Sequence, residues 1–110
     1  MALIRPTSMG LTRTWELAST AIAGDGVSDT AEWGLSSIIG SMYILTSSTP
    51  LMTVQVQESP DNATWVTVEE IILAKDEVFR ISHPFWWMRV SVSAHSSGQI
   101  DNIKIVGIVQ

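Results

Sequence analysis

The chain has 110 residues, of which 45% are hydrophobic and only 15% charged, with a formal net charge of -5 and no cysteine. That length suits one domain that buries a core without a metal or disulfide, and the missing cysteines exclude thiol redox chemistry, zinc-thiolate sites and a disulfide-rich extracellular scaffold. The charged fraction lies below the usual quarter, which leaves a surface that is easy to desolvate, and the 6 Lys and Arg residues are too scattered for a patch that tracks phosphates, so no direct nucleic-acid binding is expected.

Met1-Ala2-Leu3-Ile4-Arg5-Pro6 has no basic segment followed by an apolar run, so it does not read as a secretory signal. No stretch approaches the roughly eighteen apolar residues that span a bilayer. The expectation is a soluble protein with no membrane partner, made in a cytoplasm. Residues 1–12 read as an irregular N-terminal arm ahead of one domain over residues 13–110. Arg5 and Arg13 give the first thirteen residues a mild positive charge with no acid, so the arm could lie on an acidic partner.

Period-two alternation appears wherever the sequence is periodic, and its breaks are turn residues rather than helix caps. Thr14 to Ile22 is the first run, ending in Gly24-Asp25-Gly26, and a short segment around Glu32 to Leu35 follows. Met42-Tyr43-Ile44-Leu45-Thr46 is apolar on both faces, as a central strand covered on both sides would be, and stops at Ser47-Ser48-Thr49-Pro50. Met52 to Glu58 alternates cleanly, with Met52, Val54 and Val56 inward and Thr53, Gln55 and Gln57 outward. Ser59-Pro60-Asp61-Asn62 then supplies a turn, Asn62 tolerating a left-handed conformation, and Trp65 to Glu69 runs back to close a hairpin. Glu77 to Ser82, Phe85 to Ala94 and Ile100 to Val109 complete about eight strands, broken at His83-Pro84 and Ser96-Ser97-Gly98. The spacing predicts an all-β fold, a two-sheet antiparallel sandwich or jelly roll.

The segment Ser59-Pro60-Asp61-Asn62-Ala63-Thr64-Trp65, followed by Phe85-Trp86-Trp87-Met88-Arg89-Val90 and by Ile103-Lys104-Ile105-Val106-Gly107-Ile108, resembles the pattern of small jelly-roll capsid decoration (cement) proteins of phages. The resemblance covers roughly residues 40 to 110, with Asn62 where Gly is usual. It implies a structural virion protein, a homotrimer seated on the major capsid protein at the capsid surface and tying capsomers together. Similar hairpins occur in tail and carbohydrate-binding sandwiches.

Two segments carry interface residues independently of that resemblance. In the strand after Pro84, Trp86, Met88, Val90, Val92 and Ala94 share one face and Phe85, Trp87, Arg89, Ser91 and Ser93 the other. If the first set is core, Phe85 and Trp87 emerge beside Arg89, and aromatics with Arg are the composition of binding hot spots. The alternative is that loops or the second sheet cover these rings within one subunit. Near the C-terminus Val106 and Ile108 project from the face opposite Ile103 and Ile105, as in an edge strand that pairs with another chain or a central strand covered on both sides. Trp15, Trp33 and Trp65 read as core.

No catalytic or metal constellation is legible, and no cofactor is expected. His83 and His95 lack a carboxylate or nucleophile at a useful spacing, and Glu69 and Glu70 are adjacent and so face opposite ways in a strand. Gly24 to Asp29 lacks the ligand spacing of a calcium loop and reads as a flexible turn. The expectation is a non-enzymatic protein that binds a major capsid protein and itself. The alternatives are a carbohydrate- or receptor-binding module, with Trp87 or Trp65 in a shallow polar groove, and a tail or baseplate subunit.

Overall fold

A computed structural model of the chain describes residues 3–5, 7–9, 12–18, 20–32, 38–81 and 86–109, and among these the fold is all-β. Its strands are β1 (Leu3–Ile4), β2 (Thr7–Met9), β3 (Thr12–Glu16), β4 (Gly26–Val27), β5 (Thr30–Glu32), β6 (Ile38–Ser59), β7 (Val66–Leu73), β8 (Glu77–Ile81) and β9 (Trp87–Val109). All the pairings are antiparallel except that of β1 with β5.

The long strands β6 and β9 organise everything else. They pair from Ile38↔Val109 to Ser59↔Trp87, and both are bent midway. Ser48 and Thr49 in β6, and Ala94 and Gly98 in β9, adopt positive φ, and the register shifts between Leu45 and Thr53. Such breaks leave residues unpaired and sharpen the local twist, so each strand turns from one layer into the other. Gly98 is required at its bend: at φ 71° a Cβ would run into the backbone of Pro50.

The first layer has the order β2-β3-β9-β6-β8, using the N-terminal half of β6 and the C-terminal half of β9. The second has the order β1-β5-β9-β6-β7, using the other halves, with β4 beside β5 along β9. Inward residues of both layers form one core, including Trp15, Met42, Ile44, Ile103 and Ile105 from the first and Met52, Val54, Met88, Val90 and Val92 from the second. Burying each such aliphatic side chain contributes about 1.5–3 kcal/mol. Two polar devices fasten the layers. Trp15 Nε1 donates to Glu32 O at 3.1 Å, from β3 across to β5. Asp76 Oδ1 accepts from both Thr46 N and Thr46 Oγ1 at 2.8 Å, tying the β7–β8 turn to β6 and holding the carboxyl below its ordinary pKa.

The hairpin of β6 with β7 forms as expected, with Met52, Val54 and Val56 buried and Asn62 at φ 59°. Other expectations need correction. Met42 to Thr46 is not covered on both sides: Met42 and Ile44 are fully buried, while Tyr43 and Leu45 are 40% and 46% exposed. This run does not stop at Ser47-Ser48-Thr49-Pro50, because those residues bend the strand instead of ending it. Ser96-Ser97-Gly98 likewise lies inside β9. The first run yields strand only over Thr12–Glu16, followed by an isolated bridge between Ile22 and Ile100. Residues 3–4 and 7–9 of the expected irregular arm are paired strands, β1 on β5 and β2 on β3.

Candidate functional site

The outward face of the second layer carries Trp87 and Arg89, which the sequence picks out as interface, together with Trp65, whose reading as core is corrected: it is half-buried under Arg89, and the turn before β7 positions it. Asp61 Oδ1 accepts from Ala63 N at 2.9 Å, Thr64 N at 2.7 Å and Ser59 Oγ at 2.9 Å, and Thr64 Oγ1 donates to Oδ2 at 3.2 Å. The backbone N–H groups of Thr64 and Ala63, then the Ser59 hydroxyl, favour the carboxylate and lower its pKa from 3.8 to about 2. This closed turn delivers Trp65 to the start of β7.

Arg89 lies directly opposite Gln57 in the register, and Met88 and Val90 on either side of it point inward. Its guanidinium sits 4.1 Å from the centroid of the Trp65 ring, and its Nε donates to Gln57 Oε1 at 2.8 Å. Partial burial lowers the guanidinium pKa, without bringing it near deprotonation. A bulge contributes to this meeting: Val56 pairs with Glu69 but Gln57 with Thr67, so Val68 is an extra residue on β7. Gln57 Nε2 donates to Thr67 Oγ1 at 3.4 Å, and Gln55 Nε2 to Glu70 Oε2 at 2.7 Å, continuing the polar row along the face.

Trp87 opens β9 opposite Ser59 on one side and Glu32 on the other, half-buried, on the same face as Arg89. Trp86, which alternation puts on the face of Met88, does not join it in the core; it precedes the strand at a bend, is 37% exposed, and its ring centroid lies 5.9 Å from that of Trp87. Ala94 also leaves the expected core row, since its positive φ breaks the alternation and exposes it. Phe85, Trp33 and His83 lie outside the described residues.

The remaining sequence-predicted interface residues are elsewhere. The C-terminal part of β9 is flanked by β3 and β6, so it is a central strand and the edge reading of Val106 and Ile108 is wrong. Val106 is half-buried on the outward face of the first layer, between Thr14 and Ser41; Ile108 pairs with Thr12 and Ile39. That face also bears Tyr43 and, at the β8 edge, Val78, which is opposite Tyr43. Arg13 lies on the Trp15 side of β3, opposite Gly107. Arg5 is spent within the chain: its Nε meets Glu32 Oε2 at 3.1 Å in an exposed ion pair.

Between the layers, where β7 and β8 are the outer strands, lies an open cleft of about 280 Å³ with Met42, Val56, Phe79 and Met88 among its walls and Glu58 and Glu69 among its polar groups, and with Arg80, which the register opposite Ser41 puts on the outward side, at its rim. Sequence reasoning missed it because it depends on two strands meeting across the sandwich. Among the described residues no group of three His, Asp or Glu could hold a metal ion. In the Gly24 to Asp29 segment, Asp25 Oδ1 accepts from His95 N at 2.9 Å, and Ser28 Oγ accepts from Val90 N at 2.9 Å. His95 Nε2 is 2.7 Å from Gly98 O and therefore carries the proton.

No protein-family model matches the chain, and no curated protein matches it. Among solved structures it is similar to the one described as the crystal structure of PirA, at 14% identity and a TM-score of 0.47, over 94% of this chain and 97% of that one. A likeness at that score bears on neither fold nor role.

Proposed function

We propose that the chain is a non-catalytic structural protein of a virion, a capsid decoration subunit that binds the major capsid protein through the outward face of its second layer. The observation that carries the reading is the Arg89 guanidinium held on Trp65 and Gln57 beside Trp87. Fixing these side chains in advance lowers the entropy cost of docking, and Trp with Arg is the make-up of a protein hot spot. The strand order supports it too. In the orders β2-β3-β9-β6-β8 and β1-β5-β9-β6-β7, consecutive halves of β6 and β9 alternate between layers, as when a long hairpin is rolled up into a jelly roll. The specific virion assignment, the capsid partner and the capsid-surface location rest on the resemblance of the Ser59 to Trp65 hairpin and the two following strands.

The carbohydrate-binding alternative is weakened by the same geometry, because one face of Trp65 is taken by Arg89 and is closed to a sugar ring. Cosedimentation of the purified protein with shells of the virus that encodes it tests the proposal. Saturable binding to the shell is the expected result. Binding to tail structures, or to a glycan array with none to the shell, would replace it with one of the alternatives.

A further inference from the structure

We infer that a second copy of this chain docks on the open side of the sandwich, adding its β8 to the β7 edge and its β7 to the β8 edge, so that two layers become continuous across a two-fold axis. Among the described residues, β7 and β8 each pair only with β6, so both have a free edge. These edges also bear the two most exposed large apolar side chains of the described residues, Ile72 at 71% and Val78 at 60%. Long exposed edges with apolar side chains invite strand addition.

The sequence of the two edges selects the partner and the register. Facing β7 antiparallel to the second copy's β8, with Ile72 opposite Val78, places Glu70 opposite Arg80 on the same outward face and Ile71 opposite Phe79 inward. Shifting by two residues either way, which keeps outward residues together, loses both matches. Self-pairing is worse. Two β7 strands meeting about their centre would bring Glu69 of each against Glu70 of the other, and two β8 strands meeting at Phe79 would set Val78 against Arg80. Arg80 is exposed and has no hydrogen-bond partner among the described residues, so its charge is available.

Geometry favours a two-fold pair over a ring. Val68 and Glu69 of β7 and Phe79, Arg80 and Ile81 of β8 line the same cleft, so a copy that meets one edge meets the other. The contact is then self-complementary, with the two junctions equivalent. The inference is independent of the virion reading and differs from the trimer that the capsid resemblance implies.

The test is the mass of the full chain by light scattering and sedimentation over a concentration series, for the natural protein, Arg80→Glu, Glu70→Arg and the double reversal, with circular dichroism to confirm each is folded. A dimer is expected, weakened at least about tenfold by either single reversal, since like charges then face each other at both junctions, and regained in the double variant. A monomer throughout, a trimer, a dimer indifferent to the single reversals, or a double variant that stays dissociated would each overturn the inference.

Discussion

Arg89 and Trp65 are 24 residues apart in sequence, yet the guanidinium lies 4.1 Å over the ring, with Nε fixed by Gln57 Oε1 at 2.8 Å. The planar guanidinium can stack and donate at once, whereas an ammonium is a point charge that cannot reproduce both. Arg89→Lys should therefore destabilise the protein by about 0.5–1.5 kcal/mol in urea unfolding and change the fluorescence of Trp65.

Asp61 gives the hairpin a pH dependence with a defined sign. Its folded pKa, about 2, is below its ordinary value of 3.8, so the stabilisation is fully present above the ordinary value and is lost as pH falls through the folded one. Asp61→Ala should lower Tm at neutral pH, and the gap between variant and natural protein should narrow from about pH 4 down to about pH 2. Thermal unfolding at several pH values checks this; a gap that stayed constant would place the effect elsewhere.

Thr30 is 3% exposed, and its Oγ1 has no hydrogen-bond partner among the described residues. A buried hydroxyl without a partner costs more than a methyl of the same shape. Thr30→Val should be neutral or stabilising by about 1 kcal/mol in chemical denaturation.

At Gly98 the positive φ and the closeness of Pro50 act together. Gly98→Ala should cost about 2–3 kcal/mol, measurable as a lowered denaturation midpoint, because the bend must shift to admit the Cβ. Gly24, which has no atom within 4 Å of a Cβ, is the control position.

What was legible in the sequence follows from which forces act locally. The pairing of β6 with β7 was readable because Met52, Val54 and Val56 alternate with polar residues and Asn62 marks the turn. The bends at Ser48 and Gly98 were mistaken for ends, since turn residues inside a long strand look the same as turn residues between two strands. Tyr43 and Leu45 looked buried because an apolar run does not say which of its faces meets a second layer. Trp87 and Arg89 were correctly placed on one face, but Trp65 as the neighbour of Arg89 was not foreseeable, because register, bulge and twist bring them together. β1 and β2 were too short for any periodicity to declare them.

The most direct measurement of the proposed capsid role is binding of Arg89→Ala to the proposed partner, the viral shell, with near-ultraviolet circular dichroism and Tm recorded on the same preparation. A folded variant that binds the shell at least about tenfold more weakly than the natural protein is the expected result, as loss of a central aromatic–Arg anchor requires. A folded variant that binds the shell undiminished would contradict it and remove the second-layer face from the interface.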